Sequence, residues 1–279
     1  MTVDLTQLVS ALMLLLVAGC VLYATISFFR VKFPEVAEGT LRYTPLEAIG
    51  ITIAGYIVAQ VAAALLFGAY FTITGSEVDS IGALANFSYI AIVSLLYGSI
   101  VVMFLRKRGV HLRKIGVNNA RASHLAYAAL AFVIYMPITG VVQTIASKYL
   151  AIDVAQPQEL GFATNVVGVE LLATFIALVI IPPLFEELVM RGFLYTGLRQ
   201  KMNVITAAVI TSVIFGVAHL QLGSGNPPLW VAAIDTFVLS MFLVYLREKT
   251  GSLWPAISLH AIKNFLAFTV LFVLKLPIS

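Results

Sequence analysis

Cysteine and charged residues are both scarce in this chain of 279 residues. The one cysteine, Cys20, excludes an internal disulfide and leaves the redox compartment open. Charged residues make up only 11% of the chain, whereas soluble domains carry about 25%. Hydrophobic residues reach 61% and the mean hydropathy is +1.00. This composition excludes an ordinary soluble domain and indicates a polytopic membrane protein.

The net charge of +4 comes from basic residues in short connections between apolar runs. Anchoring of such connections on the cytoplasmic side of a membrane accounts for the basic residues. We therefore expect the lipid bilayer as a partner and no nucleic acid. The sequence does not indicate an oligomeric state.

Apolar stretches long enough to cross a hydrocarbon layer of ~30 Å, which takes ~20 helical residues, occur eight times. We therefore predict an all-α, polytopic transmembrane helix bundle of about eight spans. The spans lie at about 5–29, 46–74, 84–105, 122–146, 165–185, 204–222, 228–246 and 253–275.

The first span includes Cys20, which follows Val17, Ala18 and Gly19 as in a lipoprotein cleavage box. No Lys or Arg precedes this box, and the apolar run continues to Phe29. A signal peptide needs a positive start and a short apolar core. We therefore predict an uncleaved span here.

Basic residues are distributed unequally between the two sets of connections. The connections 30–45, 106–121, 186–203 and 247–252 hold 14 basic residues, and the alternate ones hold Lys148 with Lys275 at the end. The positive-inside rule then predicts cytoplasmic basic loops and both termini outside. The expected location is the plasma membrane, or the endoplasmic reticulum membrane in a eukaryote.

Polar chemistry is almost absent from the first four spans. We predict a four-span scaffold over 1–146, a polar connection over 147–164 and a C-terminal core over 165–279. The fifth span carries Pro182-Pro183, and proline breaks a helix interior. The sequence therefore predicts that a helix restarts there and runs from about 184 to 200.

Polar side chains recur inside the apolar runs of the last third of the chain. An ionisable residue at membrane depth is costly unless it is paired or lines a wet cavity, so each one indicates a functional site. Glu187 and Arg191 are four residues apart and are predicted to pair on one helix face. His260 and Asn264 share the same spacing. The polar set is Glu186, Glu187, Arg191, His219, Asp235, His260 and Asn264, and Phe215, four residues before His219, is predicted to be simple packing.

Helical hairpins bring several of these residues to similar heights. A turn near 202–203 places Glu186 and His219 each ~24 Å from that turn. A turn near 249–250 places Asp235 level with Asn264. His260 lies only ~15 Å from its turn. The site residues therefore meet only if the first hairpin projects further into the cytoplasm than the second, or if the first helix of that hairpin bends.

A carboxylate beside an imidazole in a wet intramembrane pocket can take a proton from water, which is general-base catalysis. Imidazole and amide groups can stabilise the resulting oxyanion. The motifs Glu-Glu-x-x-x-Arg, Phe-x-x-x-His and His-x-x-x-Asn, in this order on successive apolar helices, resemble the CPBP or Abi family. That family includes the type II CAAX prenyl endopeptidases, lysostaphin-resistance-like proteins and bacteriocin-immunity proteins. The resemblance covers about residues 165–275.

The resemblance implies a glutamate intramembrane protease. Glu186 is then the base, His219 helps to position the water, and His260 with Asn264 donates to the oxyanion. Glu187 and Arg191 are supporting residues. The implied substrate is a membrane-associated peptide or a prenylated CAAX-type protein, and a peptide pheromone or bacteriocin leader is the alternative.

Zinc held by His219, His260 and Glu186 is a second way to activate water. The His-Glu-x-x-His signature is absent, so we predict a site without metal or other cofactor. A non-catalytic scaffold or immunity protein is another alternative. A secondary transporter also places acids near the membrane centre, although the halves of this chain show no repeat.

The remaining polar residues have simpler interpretations. Asp235 and Lys263 are predicted to form a buried ion pair. His111 and His124 lie in or beside a basic loop and are expected to be solvated. Ser224 is read as part of a turn.

Overall fold

The computed structural model describes residues 41–75, 82–150, 152–153, 161–220 and 228–276. Within these ranges the chain forms helices and turns and contains no β-strand. The long helices are α1 (Pro45–Thr74), α2 (Ala83–Lys107), α3 (Ala122–Leu150), α4 (Gly168–Leu198), α5 (Val204–Ala218), α6 (Trp230–Thr250) and α7 (Trp254–Val273). A short 3-10 helix, Leu112–Ile115, lies between α2 and α3.

The all-α transmembrane architecture is confirmed. Six of the described helices are long and apolar enough to cross a membrane, and α5 is the exception with 15 residues. At 1.5 Å per residue α5 spans only ~22 Å, so the span predicted over 204–222 is too long. The predicted span 5–29, with Cys20, and the predicted turn at Ser224 lie outside the described residues.

Side-chain caps and glycines set the helix ends. Thr44 and Glu47 form a capping box at the start of α1, where Pro45 occupies the first turn. Asn203 accepts a hydrogen bond from the Thr206 N–H and so begins α5. Gly251 ends α6 in the left-handed conformation, with φ of 64°. The two C-terminal hairpins therefore turn close to their predicted positions.

The predicted helix break at Pro182-Pro183 is wrong, because α4 continues without interruption through both prolines. Two π-helical segments, Ile176–Ile180 and Leu188–Leu194, lie within α4. The Ile181 N–H bonds to the Ile176 carbonyl, five residues back. This wider turn lets the helix continue where the prolines supply no N–H donor.

Helix α4 is the central element of the described bundle. It packs against α1, α2, α5, α6 and α7, while α3 covers α6 and α7 from the other side. Val189, Phe193 and Leu194 of α4 have no exposed surface and form the middle of the main core. The domain boundary predicted near 147–164 stays a prediction.

Candidate active site

The centre of the site is an ion pair on α4 that is wholly removed from solvent. Arg191 Nη1 donates to Glu187 Oε1 at 3.0 Å, and both side chains have 0% exposure. The predicted pairing of these two residues is thus present. The Arg191 guanidinium also lies 4.3 Å from the centre of the Phe215 ring on α5, within the range of a cation–π contact.

His260 of α7 lies between the two adjacent carboxylates of α4. Its Nδ1 is 2.9 Å from Glu187 Oε1, and its Nε2 is 4.0 Å from Glu186 Oε2. Because the Glu187 oxygen already accepts from Arg191, the His260 Nδ1 carries the hydrogen and donates it. The Nε2 atom is thereby directed towards Glu186.

The two carboxylates differ sharply in their surroundings. Glu187 is fully buried and bonded to both Arg191 and His260. The Glu186 side chain is 31% exposed. Within the described residues, Glu186 Oε2 is a buried atom with no hydrogen-bond partner. The Oε2 atom of Glu187 is equally unpartnered, so Glu186 is distinguished by the solvent access of its side chain and by lying outside the Arg191 ion pair.

His219 ends α5 as its C-cap residue. Its Nδ1 lies 2.8 Å from the carbonyl oxygen of Phe215. A carbonyl only accepts, so Nδ1 donates and the neutral ring presents a lone pair at Nε2. Glu186, His260 and Lys263 all lie near enough to act electrostatically on this ring. The structure thus places His219 beside the other candidate residues.

Phe215 has a larger part in the geometry than its prediction as simple packing allowed. Its ring centre is 4.6 Å from that of His219 and 6.1 Å from that of His260, both edge to face. With Arg191 on its face, this 2% exposed ring contacts three polar members of the cluster. The i, i+4 spacing of Phe215 and His219 could have indicated the shared face.

Asn264 is fixed by a carbonyl group of α4. Its Nδ2 donates to the Leu178 carbonyl oxygen at 2.9 Å. In an α-helix or π-helix this carbonyl would accept from residue 182 or 183, and both are prolines without an N–H. Asn264 therefore supplies a bond that the α4 backbone cannot make. Once α4 is known to be continuous, the two prolines imply that the Leu178 carbonyl needs another donor, and the structure shows that this donor is Asn264.

Asp235 and Lys263 form the predicted ion pair, with Lys263 Nζ 2.8 Å from Asp235 Oδ2. The pair is half-buried, at 17% exposure for Asp235 and 28% for Lys263. Tyr135 and Thr139 of α3 both donate to Asp235 Oδ1. This cluster joins α3, α6 and α7 just beyond Asn264.

The zinc alternative has no complete ligand set in this part of the chain: among the described residues, no three His, Cys, Asp or Glu side chains form a group that could hold a metal ion. The absence of a cofactor remains a prediction. Of the two other histidines, His111 is exposed as expected. The expectation for His124 is wrong, because its side chain packs against the start of α3 and the residue is 7% exposed.

Part of the chain is similar to known proteins. Residues 168–266 match the family model "Type II CAAX prenyl endopeptidase Rce1-like". The chain is also 32% identical over 85 residues to "Putative membrane peptidase YdiL" of Bacillus subtilis (strain 168). That alignment covers 30% of this chain, and the chain spans only 32% of the relative's length. No solved structure matches.

The matched range contains all of α4, α5 and α6 and most of α7. It includes every residue of the candidate site, from Glu186 to Asn264. The resemblance predicted from the three motifs is therefore confirmed, and residues 168–266 of this chain are similar to the Rce1-like type II CAAX prenyl endopeptidases.

Proposed function

We propose that this multi-pass membrane protein is an intramembrane endopeptidase that hydrolyses a peptide bond of a membrane-associated or prenylated, CAAX-type substrate. The family match supports peptidase chemistry. The observation that carries the mechanism is the contrast between the two adjacent glutamates. One is fully buried with its Oε1 bonded to Arg191 and His260, and the other is 31% exposed, although each also has a buried Oε2 without a hydrogen-bond partner among the described residues.

Glu186 is the general base in this proposal. Its carboxylate takes a proton from water while the water oxygen attacks the scissile carbonyl carbon. The carbonyl π electrons move to oxygen and form the oxyanion. When the C–N bond breaks, protonated Glu186 returns the proton to the leaving amine, so protons and electrons balance. A positioned base of this kind contributes about 10²–10⁴-fold to the rate.

His219 positions the attacking water. Its Nδ1 hydrogen is committed to the Phe215 carbonyl, so the neutral ring can only accept at Nε2. A water held between this lone pair and the Glu186 carboxylate has one hydrogen directed to each. His219 is thus a partner of the base and not an oxyanion donor.

His260 and Asn264 stabilise the oxyanion. His260 Nδ1 is bonded to Glu187, so its Nε2 donates only when the ring carries both protons. Asn264 uses one N–H for the Leu178 carbonyl, and the second N–H of the same amide is the proposed donor. Glu187 and Arg191 act through His260 and hold its ring in place.

The test compares Glu186→Gln with Glu170→Gln. Glu170 lies on the same helix and is exposed, so both variants remove one carboxylate from α4. Purified protein in detergent is given a farnesylated peptide and an unprenylated peptide library, and cleavage is followed by mass spectrometry. We expect Glu186→Gln to lose at least about 10²-fold in rate and Glu170→Gln to keep the wild-type rate.

Equal rates in the two variants would contradict the assignment of Glu186 as the base. A phenotype in cells that survives Glu186→Gln would favour the non-catalytic scaffold. A parallel assay with and without a zinc chelator separates the metal-free mechanism from the zinc alternative. Cleavage that stops in chelator and returns with zinc would overturn the metal-free mechanism.

A further inference from the structure

A polar cavity lies apart from the candidate active site. Its volume is about 320 Å³, which is in the range of small-ligand pockets. None of the proposed catalytic residues contributes to its wall. The lining residues are Arg113, Asn118, Asn119, Arg121, His124, Thr250 and Ser252.

The lining of this cavity has the composition of an anion site. It contains two guanidinium groups and no carboxylate. The loop that supplies most of it, residues 106–121, carries six basic residues and no acidic one. Guanidinium groups bind phosphate oxygens through paired, charge-assisted hydrogen bonds.

His124 adds a buried donor to the wall. Its Nδ1 accepts from the backbone N–H of Arg121 at 3.2 Å. The neutral ring therefore carries its hydrogen on Nε2. The residue is 7% exposed, unlike the two arginines, which lie at the surface. The first turn of α3, directly after Arg121, adds the positive end of a helix dipole.

Hydrogen bonds between the loop and the α6–α7 connection hold the cavity open in a fixed shape. The Asn118 side chain donates to the Gly251 carbonyl at 2.9 Å, and the Trp254 indole donates to the Asn118 carbonyl. The Leu253 N–H donates to the Gly116 carbonyl at 2.9 Å. The cavity wall is therefore formed before any ligand binds.

The position of the cavity identifies the source of the anion. Helix α3 begins at Ala122, α6 ends at Thr250 and α7 begins at Trp254, and all three are long enough to span the membrane. The cavity lies where these spans end, and the ends of membrane-spanning helices lie near the level of lipid headgroups. Trp254, whose indole bonds to the loop, is a residue type enriched at that level.

We propose that this cavity binds the phosphate group of an anionic phospholipid headgroup on the membrane face that carries the basic loops. Arg113 and Arg121 hold the phosphate oxygens, and the His124 Nε2–H donates to one of them. Basic pockets between the ends of transmembrane helices suit anionic headgroups in this way. This inference is independent of the proposed peptidase activity.

The experiment uses the full chain in detergent and measures its melting temperature with added lipid. Phosphatidylglycerol is compared with phosphatidylcholine and with inorganic phosphate alone. The cavity variant is Arg113→Gln/Arg121→Gln. The control is Arg106→Gln/Lys107→Gln, which removes two exposed charges near the same loop without touching the cavity. All four residues are exposed, so the variants should fold, and gel filtration checks this.

We expect phosphatidylglycerol to raise the melting temperature of the wild type, since a ligand of the native state stabilises it. The cavity variant should need at least tenfold more lipid for the same shift, and the control should behave as the wild type. An equal loss in both variants would overturn the proposal and indicate only general charge attraction. A shift with inorganic phosphate but not with the lipid, lost in the cavity variant, would overturn the lipid source and support a soluble phosphate ligand. If neither phosphatidylglycerol nor inorganic phosphate shifts the melting temperature of the wild type, the cavity is not an anion site.

Discussion

Two arginines, Arg191 within α4 and Arg199 directly after its last residue, are both largely buried and both paired with a glutamate, yet their surroundings differ. Arg199 donates to Glu248 through Nε and Nη2 and to the Met202 carbonyl through Nη1. Arg191 makes one bond, to Glu187. Its Nε and Nη2 atoms are buried without a hydrogen-bond partner among the described residues.

The hydrogen bonds around Arg199 and Glu248 are those expected of an ion pair that stabilises the fold. Tyr195 also donates to Glu248, at 2.7 Å. Burial lowers the pKa of Arg199, but the hydrogen bonds and charge of Glu248 outweigh it and leave that pKa above its usual value. The network ties the end of α4 to the end of α6.

The incomplete Arg191 network has a different meaning. Unpaired buried donors cost stability, and a functional role is one reason for which native proteins keep them. Arg191 compensates the charge of Glu187, which in turn holds His260. The comparison indicates two roles for buried ion pairs. The Arg199–Glu248 pair, with its hydrogen bonds made, stabilises the fold, whereas the Arg191–Glu187 pair, with unpaired donors, orients His260.

The largest expected effect is that of Glu187→Gln. The change leaves Arg191 buried without a counter-charge, which should cost about 3–5 kcal/mol of stability. It also weakens the bond that orients His260, and a small misplacement of a catalytic group can cost about 10²-fold in rate. Melting temperature in detergent and peptide cleavage by the folded fraction measure the two effects.

Glu248→Gln is the matched control for that change. It also leaves a buried arginine without its carboxylate, so the melting temperature should fall. The cleavage rate of the folded fraction should stay near the wild type, because no contact of Glu248 reaches the candidate site. A loss of rate as large as that of Glu187→Gln would remove the distinction between the two pairs.

The second prediction separates stability from activity in Glu187→Gln/Arg191→Met. Replacing both members of a buried ion pair is often neutral or stabilising. We therefore expect the double variant to regain most of the melting temperature lost by Glu187→Gln. Cleavage should stay low, because His260 has still lost its charged acceptor. Recovery of both the melting temperature and the cleavage rate would show that Glu187 affects activity only through folding.

The sequence predicted which residues lie in one region of the bundle better than which of them bond to each other. The order and spacing of the motifs on apolar helices indicated the cluster around Glu186, and the i, i+4 rule gave the Glu187–Arg191 pair. The bond from Glu187 to His260 was missed. Residue spacing does not determine which of two adjacent carboxylates on α4 faces α7.

The continuity of α4 through Pro182-Pro183 was missed for a related reason. Local propensity favours a break at two prolines, but Asn264 from another helix supplies the lost hydrogen bond to Leu178. The cavity beside α3 was also beyond the sequence, because its wall combines a loop with a connection more than a hundred residues away.

The third prediction tests whether Asn264 replaces the backbone hydrogen bond that Pro182 cannot donate to Leu178. Asn264→Leu should cost about 1–3 kcal/mol, because it leaves the Leu178 carbonyl unsatisfied. Pro182→Ala restores an N–H four residues after Leu178, so in that background the same change should cost much less. The difference between the two melting-temperature shifts measures the coupling.

Activity in the same variants separates the two roles of Asn264. If its second N–H serves the oxyanion, Asn264→Leu stays slow in the Pro182→Ala background although stability recovers. Recovery of the cleavage rate together with stability would reduce Asn264 to an interhelical link.

The smallest expected effect comes from Thr139→Val, beside the satisfied carboxylate of Asp235. Thr139 Oγ1 donates to Asp235 Oδ1 at 2.8 Å, but Tyr135 and Lys263 remain as partners after the change. Because no buried charge loses its last bond, the cost should be only about 0.5–1 kcal/mol. Thr144→Val on the same helix, whose hydroxyl bonds only to the Gly140 carbonyl at 2.8 Å, is the control and should change the melting temperature less. A loss for Thr139→Val as large as that for Glu187→Gln would mean that completeness of hydrogen bonding does not distinguish a brace from a site in this bundle.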